Sequence, residues 1–340
     1  MTKILVIIVN YRTAALTKRC LKAVARERET GIDLSAILVD GCSDDGSVSE
    51  LRTFLNTSGI GRWTELLPLG FNGGFGWANN QAILRNSNPK PSYIYLLNPD
   101  TEIEPGAIAA LAQILDDKDE VGAVGSQLLE PDGSRTASAF SFPSVASEFV
   151  RGAQTFALSC LLGLRPLVIE LDKAGPVDWV SGASVMLRFE ALNRIGLFDD
   201  GFFLYFEEVE LMHRLKRFGK DIWFEPRSRV FHIGGASTGV DGLHSRRPKP
   251  SYWFRSRQRY FALTGGRWKG FLANLAWLAG FSLVRLPRLA LSSSYRSRGV
   301  PGEFLGMKRA GLWPTNAACR ASVQTVKSTP NRLPFWTQQQ

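Results

Sequence analysis

Short apolar runs that each end in a polar turn are the feature of this sequence that most constrains its fold. Four of them fall in the first hundred residues, at Lys3–Val9, Ala36–Asp40, Trp63–Leu67 and Tyr93–Leu97. Runs of this length, rich in β-branched, aromatic and leucine residues, predict strands buried on both faces. Two of the segments between them, Thr13–Arg28 and Gly46–Asn56, have helical patterns. Strands that alternate with helices predict βαβ units and an α/β fold with a mainly parallel central sheet.

Polar or glycine-rich residues follow each predicted strand. In chain order they are Asn10-Tyr11, Asp40–Gly46, Gly70–Gly76 and Asn98-Pro-Asp100. Because the carboxyl ends of parallel strands lie along one edge of a sheet, and ligands of open α/β sheets bind there, these residues are expected to converge on one crevice. Asp100 also has a structural interpretation, since Asp100 or Thr101 would cap a helix over Glu102–Leu115.

The glycine-rich stretch does not match the motifs of the common nucleotide-binding folds. A Rossmann fold requires G-x-G-x-x-G directly after the first strand, where this chain has Asn10-Tyr-Arg-Thr13. The nearest frame, Gly74–Asn79, lacks the third glycine, and no Gly-Lys-Ser or Gly-Lys-Thr of a P-loop follows a strand. The sequence therefore argues against both of these classes.

Composition and cysteine usage limit the classes further. With 340 residues, of which 44% are apolar, the chain is long enough for a sizeable core. Its cysteines are far apart and form no CxxC pair, which argues against a disulfide framework or a zinc site and fits a reducing compartment. They are Cys20, Cys42, Cys160 and Cys319. The apolar run after Lys3 is too short for the core of a signal peptide, so no export signal is expected.

Charge is distributed unevenly along the chain. The net charge is +10, but Gly242–Gln340 contains 17 basic residues and a single acidic one, Glu303. The body of the chain is mildly acidic and the last hundred residues are strongly basic. A basic segment of this kind indicates an anionic partner: nucleic acid, a membrane surface or a phosphorylated substrate.

The second half of the chain gives weaker structural signals. Ser138–Leu171 is expected to include a helical insertion, and Val177–Leu187 a small-residue turn that leads into a strand. Gly201–Leu215 is predicted as a helix, with acidic residues that suit a helix amino terminus. Two short strands are predicted after it, at Ile222–Phe224 and Arg229–Phe231.

Seven short motifs follow one another along the chain. They are Val9-Asn-Tyr11, Val39–Ser47, Asn72–Asn80, Leu97–Asp100, Ser181–Ser184, Phe198–Leu211 and His232–Thr238. In this order they resemble glycosyltransferase family 2, the inverting nucleotide-sugar transferases with a GT-A fold, and most of all its bacterial rhamnosyltransferase branch. The resemblance covers about residues 3 to 265, and its specificity lies in the ordered set, because each motif alone is weak.

The resemblance implies a GT-A fold, with a mixed, mainly parallel central sheet and flanking helices. The catalytic domain is expected at residues 1–242, with a nucleotide-sugar-binding half at 1–127 and a half for acceptor and base at 128–242. Residues 243–320 are expected to form a basic helical extension that associates with a membrane, and 321–340 a disordered tail.

The same resemblance assigns the donor site residue by residue. Asp40, with the backbone near Val9 and Tyr11, would recognise the base and ribose of the donor. The nucleotide pocket would be lined by Asn72, Gly73 and Asn80, together with the Asn98-Pro-Asp100 turn.

That turn occupies the place of the Asp-x-Asp motif of the family. Asp100 would hold a divalent metal, and His232 matches a position that completes the metal shell in some relatives. The chemistry makes the same demand, because the leaving nucleoside diphosphate needs a cation, and Mg²⁺ or Mn²⁺ with oxygen ligands is the usual one. Asn98 in place of the first aspartate leaves one anionic ligand fewer.

The acceptor hydroxyl needs a general base on the opposite face of the sugar. In the family this base is the second acid of a Glu-Asp pair that starts a helix, and the pair here is Glu207-Glu208. We therefore expect Glu208, ahead of Glu207, to be the catalytic base of a single displacement with inversion.

The basic segment allows two interpretations. His244–Tyr260 interleaves basic and aromatic residues, a pattern that binds single-stranded nucleic acid. Gly270–Val284 is apolar and flanked by basic residues, and it is shorter than the ~20 residues that span a bilayer. A buried core helix is one interpretation of it, and a helix lying on an anionic leaflet fits the surrounding charge better.

The sequence thus predicts a metal-dependent inverting glycosyltransferase, peripheral at the inner, cytoplasmic face of the cell membrane. It is expected to transfer a sugar, rhamnose from dTDP-rhamnose, to a hydroxyl of a lipid-linked or polysaccharide acceptor in cell-surface polysaccharide synthesis. Two alternatives stand beside it: a nucleotidyltransferase, and a nucleic-acid-binding protein that uses the basic segment. On the first interpretation no nucleic acid is expected as a partner.

Overall fold

The computed structural model describes residues 2–86, 90–155, 163–164, 166–233, 248–291 and 302–339. The strands in these ranges are β1 Ile4–Asn10, β2 Leu34–Asp40, β3 Thr64–Pro68, β4 Tyr93–Leu97, β5 Thr101–Ile103, β6 Val121–Leu129, β7 Ala139–Phe140, β8 Val168–Ile169, β9 Gly175–Val177, β10 Trp179–Val180, β11 Ser184–Arg188 and β12 Asp221–His232. Strands β7, β8 and β10 form a small separate sheet, and the others form one large sheet.

The described residues also form ten α-helices. They are α1 Ala14–Glu29, α2 Ser47–Ser58, α3 Phe75–Arg85, α4 Ala107–Asp117, α5 Val145–Ala153, α6 Phe189–Ile195, α7 Glu207–Arg217, α8 Ser251–Gly280, α9 Leu286–Leu291 and α10 Glu303–Ala310. A π-helical turn, Phe281–Arg285, joins α8 to α9. Short 3-10 helices occupy Ile60–Arg62 and Phe335–Gln339.

The large sheet is mixed, as predicted. Its order is β3-β2-β1-β4-β11-β6-β12-β5, and β9 also pairs with β12. The first four of these strands are parallel, whereas β11 is antiparallel to both of its neighbours. Asn10 lies opposite Asp40, and Ile8 lies opposite Leu97. The carboxyl ends of β1, β2 and β4 therefore share one edge of the sheet.

Strand β1 shows why the apolar runs need cover on both faces. Ile4, Val6 and Ile8 belong to one core, and Leu5 and Ile7 belong to the other. Successive side chains of a strand point to opposite faces, so a continuous apolar run feeds both cores. Helices α1, α2 and α4 close the first core, and α3, α6 and α7 close the second.

The residues after Asp100 do not form the helix expected over Glu102–Leu115. Thr101–Ile103 is strand β5, antiparallel to β12, and the helix begins only at Ala107, after Gly106 with a φ of +85°. Pro105 favours an extended conformation at Glu104, which keeps the helix from starting earlier. Asp100 is therefore not a helix cap.

Two more boundaries differ from the prediction. Helix α7 begins at Glu207, so the aromatic stretch from Gly201 to Phe206 is a loop and not the first turn of a helix. The two short strands expected around residues 222–231 form one strand, β12, with an irregular register between Glu225 and Arg229.

The apolar part of the carboxyl-terminal extension packs on the domain through small residues. Non-helical angles at Gly265 and Gly266 divide α8, and its second half lies against α5. A side chain at Gly152 would come within 2.1 Å of the Trp277 carbonyl oxygen, and one at Gly280 equally close to that of Phe149. Such close backbone approach requires glycine.

The other face of this helix is apolar and exposed. Leu272 and Leu275 lie on it, and Trp268 is 67% exposed. Among the described residues, Ser251–Arg288 is one helical stretch that is long and apolar enough to cross a membrane. Its most apolar part is 33% buried, and core helices of soluble proteins can be equally long and apolar.

The final segment differs from the expectation of a disordered tail at 321–340. Leu197 donates a backbone hydrogen bond to Gln324, and the Trp77 indole donates to the carbonyl of Arg332 at 2.8 Å. We call residues 331–336, which lie beside the glycine-rich loop, the strap.

Candidate active site

Asn10 and Asp40 tie together the ends of the two central strands. The Asn10 amide donates to Asp40 Oδ2 at 2.7 Å, and the backbone N–H of Ser43 donates to Asp40 Oδ1 at 2.8 Å. Both residues are fully buried. Arg12 and Cys42 have positive φ angles of 57° and 66°, a strain that non-glycine residues tolerate where a loop is held in a required shape. Both oxygens of Asp40 are engaged in shaping this edge.

Tyr11 and Val9 lie at the same edge and are partly exposed. The Arg12 guanidinium lies 5.1 Å from the centre of the Tyr11 ring and pairs with Asp44 at 2.6 Å. An aromatic face beside a strand end is a suitable surface for stacking a nucleobase. The predicted contacts of Val9, Tyr11 and Asp40 with the donor base and ribose stay predictions.

The glycine-rich loop is shaped by close packing. The Asn72 side chain accepts a hydrogen bond from the backbone N–H of Gly74 at 3.1 Å. A Cβ on Gly73 would lie 2.2 Å from the Trp77 ring, and one on Gly74, whose φ is +88°, would lie 1.8 Å from the Phe203 carbonyl oxygen. Only glycine fits either position, so Asn72 and Gly73 belong to a fixed loop at the predicted edge.

Asn80 is placed differently from the other predicted donor residues. It is fully buried in α3, its Nδ2 donates to the carbonyl of Phe198 at 2.9 Å, and its Oδ1 accepts from the Phe198 backbone N–H at 3.0 Å. Both ends of the amide are used in this pair. Asn80 therefore braces the loop before Asp199 instead of facing the crevice.

Asn98, Asp100 and His232 converge at the end of β4. His232 Nε2 lies 3.4 Å from Asp100 Oδ1 and 3.4 Å from Asn98 Nδ2. Asp100 is nearly fully buried, and its carbonyl oxygen accepts from the backbone N–H of Ile233. The pairing of β5 with β12 holds Thr101 opposite His232 and so brings these residues together across 130 positions of sequence.

This group provides a carboxylate, an amide oxygen and an imidazole nitrogen, which are suitable ligands for Mn²⁺ or Mg²⁺. In the described ranges no three His, Cys, Asp or Glu side chains cluster as a metal site would require. A divalent ion here would thus take two ionisable ligands plus Asn98, with its other positions open to phosphate oxygens or water.

The turn between β10 and β11 connects this group to the predicted base. The backbone N–H of Asn98 donates to the Ala183 carbonyl at 2.9 Å. A Cβ on the adjacent Gly182 would lie 3.6 Å from Glu208 and 3.7 Å from Phe75. The group of Asn98, Asp100 and His232 and the predicted base Glu208 therefore adjoin the same small-residue turn.

Glu207, which is buried, and Glu208, which is partly exposed, form an acidic pair at the start of α7. One carboxylate oxygen of each, Oε2, is buried without a hydrogen-bond partner among the described residues. Burial raises the pKa of Glu208 to about 6, against an ordinary 4.5. Burial and the charge of Glu208 raise the pKa of Glu207 well above its usual range. Two acids whose pKa values are pushed apart suit a division of roles, with Glu208 the one that ionises more readily.

The residues before the pair are strained. Tyr205 and Phe206 both have a φ of 69°, in the left-handed region that aromatic residues rarely adopt. Packing holds them there: the Phe206 ring lies 5.5 Å from that of Trp253, and the Tyr205 ring stacks on Tyr252 at 6.1 Å. Strain of this kind, held by surrounding contacts, is typical of functional sites.

The strap was not predicted to take part in the site. The Trp336 indole N–H donates to the Gly73 carbonyl at 2.9 Å, and its ring stacks on Phe71 at 5.8 Å. Asn331 donates its backbone N–H to the Gln81 side chain at 2.6 Å. The aromatic pair Phe335-Trp336 could have indicated that this polar segment is ordered, because aromatic residues are rare in disordered segments.

The basic segment does not present its central arginines to a partner. Arg257 is buried and pairs with Glu148 at 2.6 Å, and Arg259 is buried and pairs with Asp199 at 2.6 Å. These cations hold α8 to the domain, which removes the main support for a nucleic-acid-binding surface on that helix. Arg246 and Arg247 lie outside the described residues.

The mixed, mainly parallel sheet with its flanking helices is that of the GT-A fold. Residues 5–159 match the family model described as glycosyl transferase family 2, and the chain is a glycosyltransferase that acts on a nucleotide-sugar donor. This finding favours the glycosyltransferase interpretation over the nucleotidyltransferase and nucleic-acid-binding alternatives.

Two curated relatives and one solved structure are similar over long stretches. The chain is 28% identical over 314 residues to the N-acetylglucosaminyl-diphospho-decaprenol L-rhamnosyltransferase of Mycobacterium tuberculosis, covering 87% of this chain and 95% of that protein. It is 27% identical over 169 residues to rhamnosyltransferase WbbL of Escherichia coli, covering 47% and 60%. The mannosyltransferase PcManGT of Pyrobaculum calidifontis, solved with GDP-Man and Mn²⁺, superposes with a TM-score of 0.53 at 16% identity, covering 91% and 87%. The chain is thus rhamnosyltransferase-like in sequence and GT-A in fold.

Proposed function

We propose that this protein is a metal-dependent inverting rhamnosyltransferase that moves rhamnose from dTDP-rhamnose to a hydroxyl of a lipid-linked acceptor. It acts at the inner face of the cell membrane, in the synthesis of a surface polysaccharide. One observation carries the proposal: the group of Asn98, Asp100 and His232 and the acid Glu208 adjoin the same turn, at Ala183 and Gly182. One oxygen of Glu208 has no hydrogen-bond partner among the described residues.

This arrangement suits a single displacement. The donor diphosphate would lie beside Asp100 and the acceptor hydroxyl beside Glu208, so attack and departure occur on opposite faces of the sugar. Glu208 accepts the proton of the acceptor hydroxyl as the new bond to the anomeric carbon forms. Glu207, whose pKa is raised further, stays beside it without competing for that proton.

A divalent ion held by Asp100, His232 and Asn98 would neutralise the charge that develops on the leaving diphosphate. The chain supplies the remaining contacts. Backbone N–H groups of the fixed glycine-rich loop lie near the sheet edge, and the Tyr11 face offers a stacking surface for the base.

The donor and acceptor classes rest on the relatives. Two of them have names that specify rhamnosyl transfer, and the mycobacterial relative acts on a diphospho-decaprenol-linked sugar. The alignment covers 87% of this chain and 95% of that relative, so it extends well beyond the half that is predicted to bind the donor. This supports a lipid-linked acceptor for the present chain.

The exposed apolar face of the extension supports the location. Trp268, Leu272 and Leu275 face solvent beside the basic residues Arg267 and Lys269. A helix with exposed tryptophan and leucine on one side and flanking cations is typical of association with an anionic leaflet.

Binding of nucleotides tests the donor and metal assignments. The thermal midpoint of the purified protein is measured with dTDP, UDP and GDP, each with and without Mn²⁺, for the wild type, Asp100→Ala and the surface control Asp172→Ala. We expect dTDP with Mn²⁺ to stabilise the wild type and the control but not Asp100→Ala. Equal stabilisation of all three proteins would contradict the role of Asp100, and a preference for UDP or GDP would contradict the rhamnosyl donor.

A further inference from the structure

Six ionisable side chains meet where α5, α8, the π-helical turn and α10 come together. We call them the cationic cluster: Glu148, Arg151, Lys249, Arg257, Arg285 and Glu303. Glu148 pairs with Arg257 at 2.6 Å and with Arg151 at 2.8 Å. Glu303 pairs with Arg151 at 2.6 Å, with Lys249 at 3.2 Å and with Arg285 at 3.4 Å.

Positive charge exceeds negative charge in this cluster. It holds four cations and two carboxylates, and Arg257 is satisfied within the protein, since it also donates to Asn274 and to the Ala273 carbonyl. Lys249 and Arg285 share the one carboxylate of Glu303 with Arg151. Burial of uncompensated charge is costly, so a protein that retains such an excess has a use for it.

Arg285 has a hydrogen-bond donor that the contacts of the described residues leave unused. It is 3% exposed, its contact with Glu303 is long at 3.4 Å, and its Nε has no hydrogen-bond partner among the described residues. A buried guanidinium normally has its donors satisfied by carboxylate or phosphate oxygens. Arg151 and Lys249, with side chains 21% and 23% exposed, leave the cluster open to solvent on one side.

Exposed apolar side chains border the cluster. Leu283 and Leu286 flank Arg285 in sequence, and Phe304 and Leu305 directly follow Glu303. All four are exposed, and Leu283 is 72% exposed. Cations beside an exposed apolar border match a ligand with an anionic head and a hydrocarbon tail.

Ring contacts connect the cluster to the catalytic base. Lys249 Nζ lies 3.9 Å from the centre of the Trp253 ring, and Arg151 lies 5.1 Å from it. Trp253 packs edge-on against Phe206, the residue directly before Glu207 and Glu208. The cluster is thus on the acceptor side of the site, whereas the donor residues lie at the ends of β1, β2 and β4.

We propose that the cationic cluster binds the diphosphate of the lipid-linked acceptor, with Lys249 and Arg285 as its main ligands and the apolar border holding the first isoprene units. The proposal rests on the proposed function, and it adds the residues that recognise the acceptor. It also explains why the base is preceded by aromatic residues that reach back to Trp253: they would place the acceptor sugar between the diphosphate and Glu208.

Binding is tested with a soluble mimic of the acceptor lipid. Calorimetry measures the affinity of the full chain for farnesyl diphosphate and for farnesol, in the wild type, Lys249→Gln, Arg285→Gln and Lys308→Gln. Lys308 is an exposed cation on α10, so its substitution removes the same charge outside the cluster. We expect farnesyl diphosphate to bind the wild type and Lys308→Gln, and both cluster variants to bind it at least about tenfold more weakly, which corresponds to the loss of one charged hydrogen bond.

Two further arms identify the source of the anion. If dTDP competes with farnesyl diphosphate, the cluster binds the donor and the proposal is wrong. If the cluster variants lose affinity for vesicles of anionic phospholipid as strongly as for farnesyl diphosphate, the cluster binds the membrane and the proposal is wrong as well. Farnesol binding equal to that of farnesyl diphosphate would overturn it as well. Should Arg285→Gln not fold, Lys249→Gln, which alters a partly exposed side chain, decides the result.

Kinetics separate this proposal from the proposed function. With a sugar-diphospho-lipid acceptor the cluster variants should raise the acceptor KM about tenfold, while the donor KM and transfer to a phosphate-free glycoside of the same sugar stay unchanged. If the wild type transfers to no acceptor but the variants still lose farnesyl diphosphate, the proposed function fails and the cluster stays a lipid-diphosphate site without an assigned reaction. If transfer occurs and the variants behave as the wild type, the cluster assignment fails alone.

Discussion

Replacing Glu208 by glutamine should make this protein more stable and inactive. Burial raises the pKa of the Glu208 carboxyl from 4.5 to about 6 in the folded protein. That difference corresponds to about 2 kcal/mol that the folded state loses when the group ionises at neutral pH. Glutamine has nearly the same shape and no charge, so it avoids this cost. For a chain of 340 residues, about 2 kcal/mol raises the thermal midpoint by about 3 °C.

The pH dependence gives the prediction its sign. Between pH 4.5 and about 6 the folded protein binds a proton that the unfolded chain has released, so wild-type stability falls as the pH rises through this range. The glutamine variant has no such proton at this position. Its advantage should therefore be largest above pH 6.5 and vanish near pH 4, where the wild-type group is protonated in both states.

The assay is the thermal midpoint of Glu208→Gln and wild type from pH 4 to 8, with Glu190→Gln as the control. Glu190 also lies in the first turn of a helix, but it is exposed, so its substitution should change the midpoint little at any pH. Transfer activity of Glu208→Gln should fall by about 10²- to 10⁴-fold, and wild-type activity should fall below about pH 6 as the base becomes protonated. A difference in midpoint that is independent of pH, or a variant less stable than wild type at pH 7.5, would refute the reasoning.

Three further substitutions test the loop, the strap and the extension. Trp336→Ala removes the hydrogen bond to the Gly73 carbonyl and the stacking on Phe71, so steady-state kinetics should show the donor KM raised about 5- to 10-fold, with a smaller change in kcat. Gly74→Ala, at a φ of +88° with the Phe203 carbonyl in the way, should abolish stabilisation by nucleotide in a thermal-shift assay. Arg259→Gln leaves a buried carboxylate unpaired and should cost about 3–5 kcal/mol, a fall of about 4–7 °C in the thermal midpoint.

Each of these changes has a matched control in the same chain. Trp313→Ala removes an exposed tryptophan far from the loop in sequence, and Arg255→Gln removes an exposed cation from the same helix as Arg259. Gly133 has a φ of +83° and open space around it, so Gly133→Ala isolates backbone strain from the clash at Gly74. If a control variant behaves like its test variant, the contact named for that test variant does not have the assigned role.

The elements that the sequence predicted well are those whose signal is local. Strands β1, β2 and β4 are continuous apolar runs, and their lengths and polar ends follow from burial on both faces. The edge that collects Asn10, Asp40 and Asp100 follows from parallel pairing alone. Glu207 and Glu208 were located by the motif around them, and their unusual environment appears only once the fold buries Glu207 and encloses part of Glu208.

The elements that were missed depend on distant partners. Strand β5 exists because β12 pairs with it, although the residues after Asp100 have a helical pattern. Arg257 and Arg259 look like surface cations until Glu148 and Asp199 are brought to them by packing. Asn80 fits a donor motif, yet its amide is used by the Phe198 backbone. Local patterns do not encode contacts across a hundred residues.

The contact between Trp336 and Gly73 also determines when the glycine-rich loop can reach its final form during synthesis. The two residues are 263 positions apart, and a ribosome adds about 5–20 residues per second. The loop is therefore synthesised roughly 13 to 50 seconds before the indole that closes onto it. In that interval strands β3, β2, β1 and β4 can pair, but the glycine-rich loop has no strap. Capture of nucleotide sugar by a nascent chain should consequently begin late, after the extension has docked on the domain.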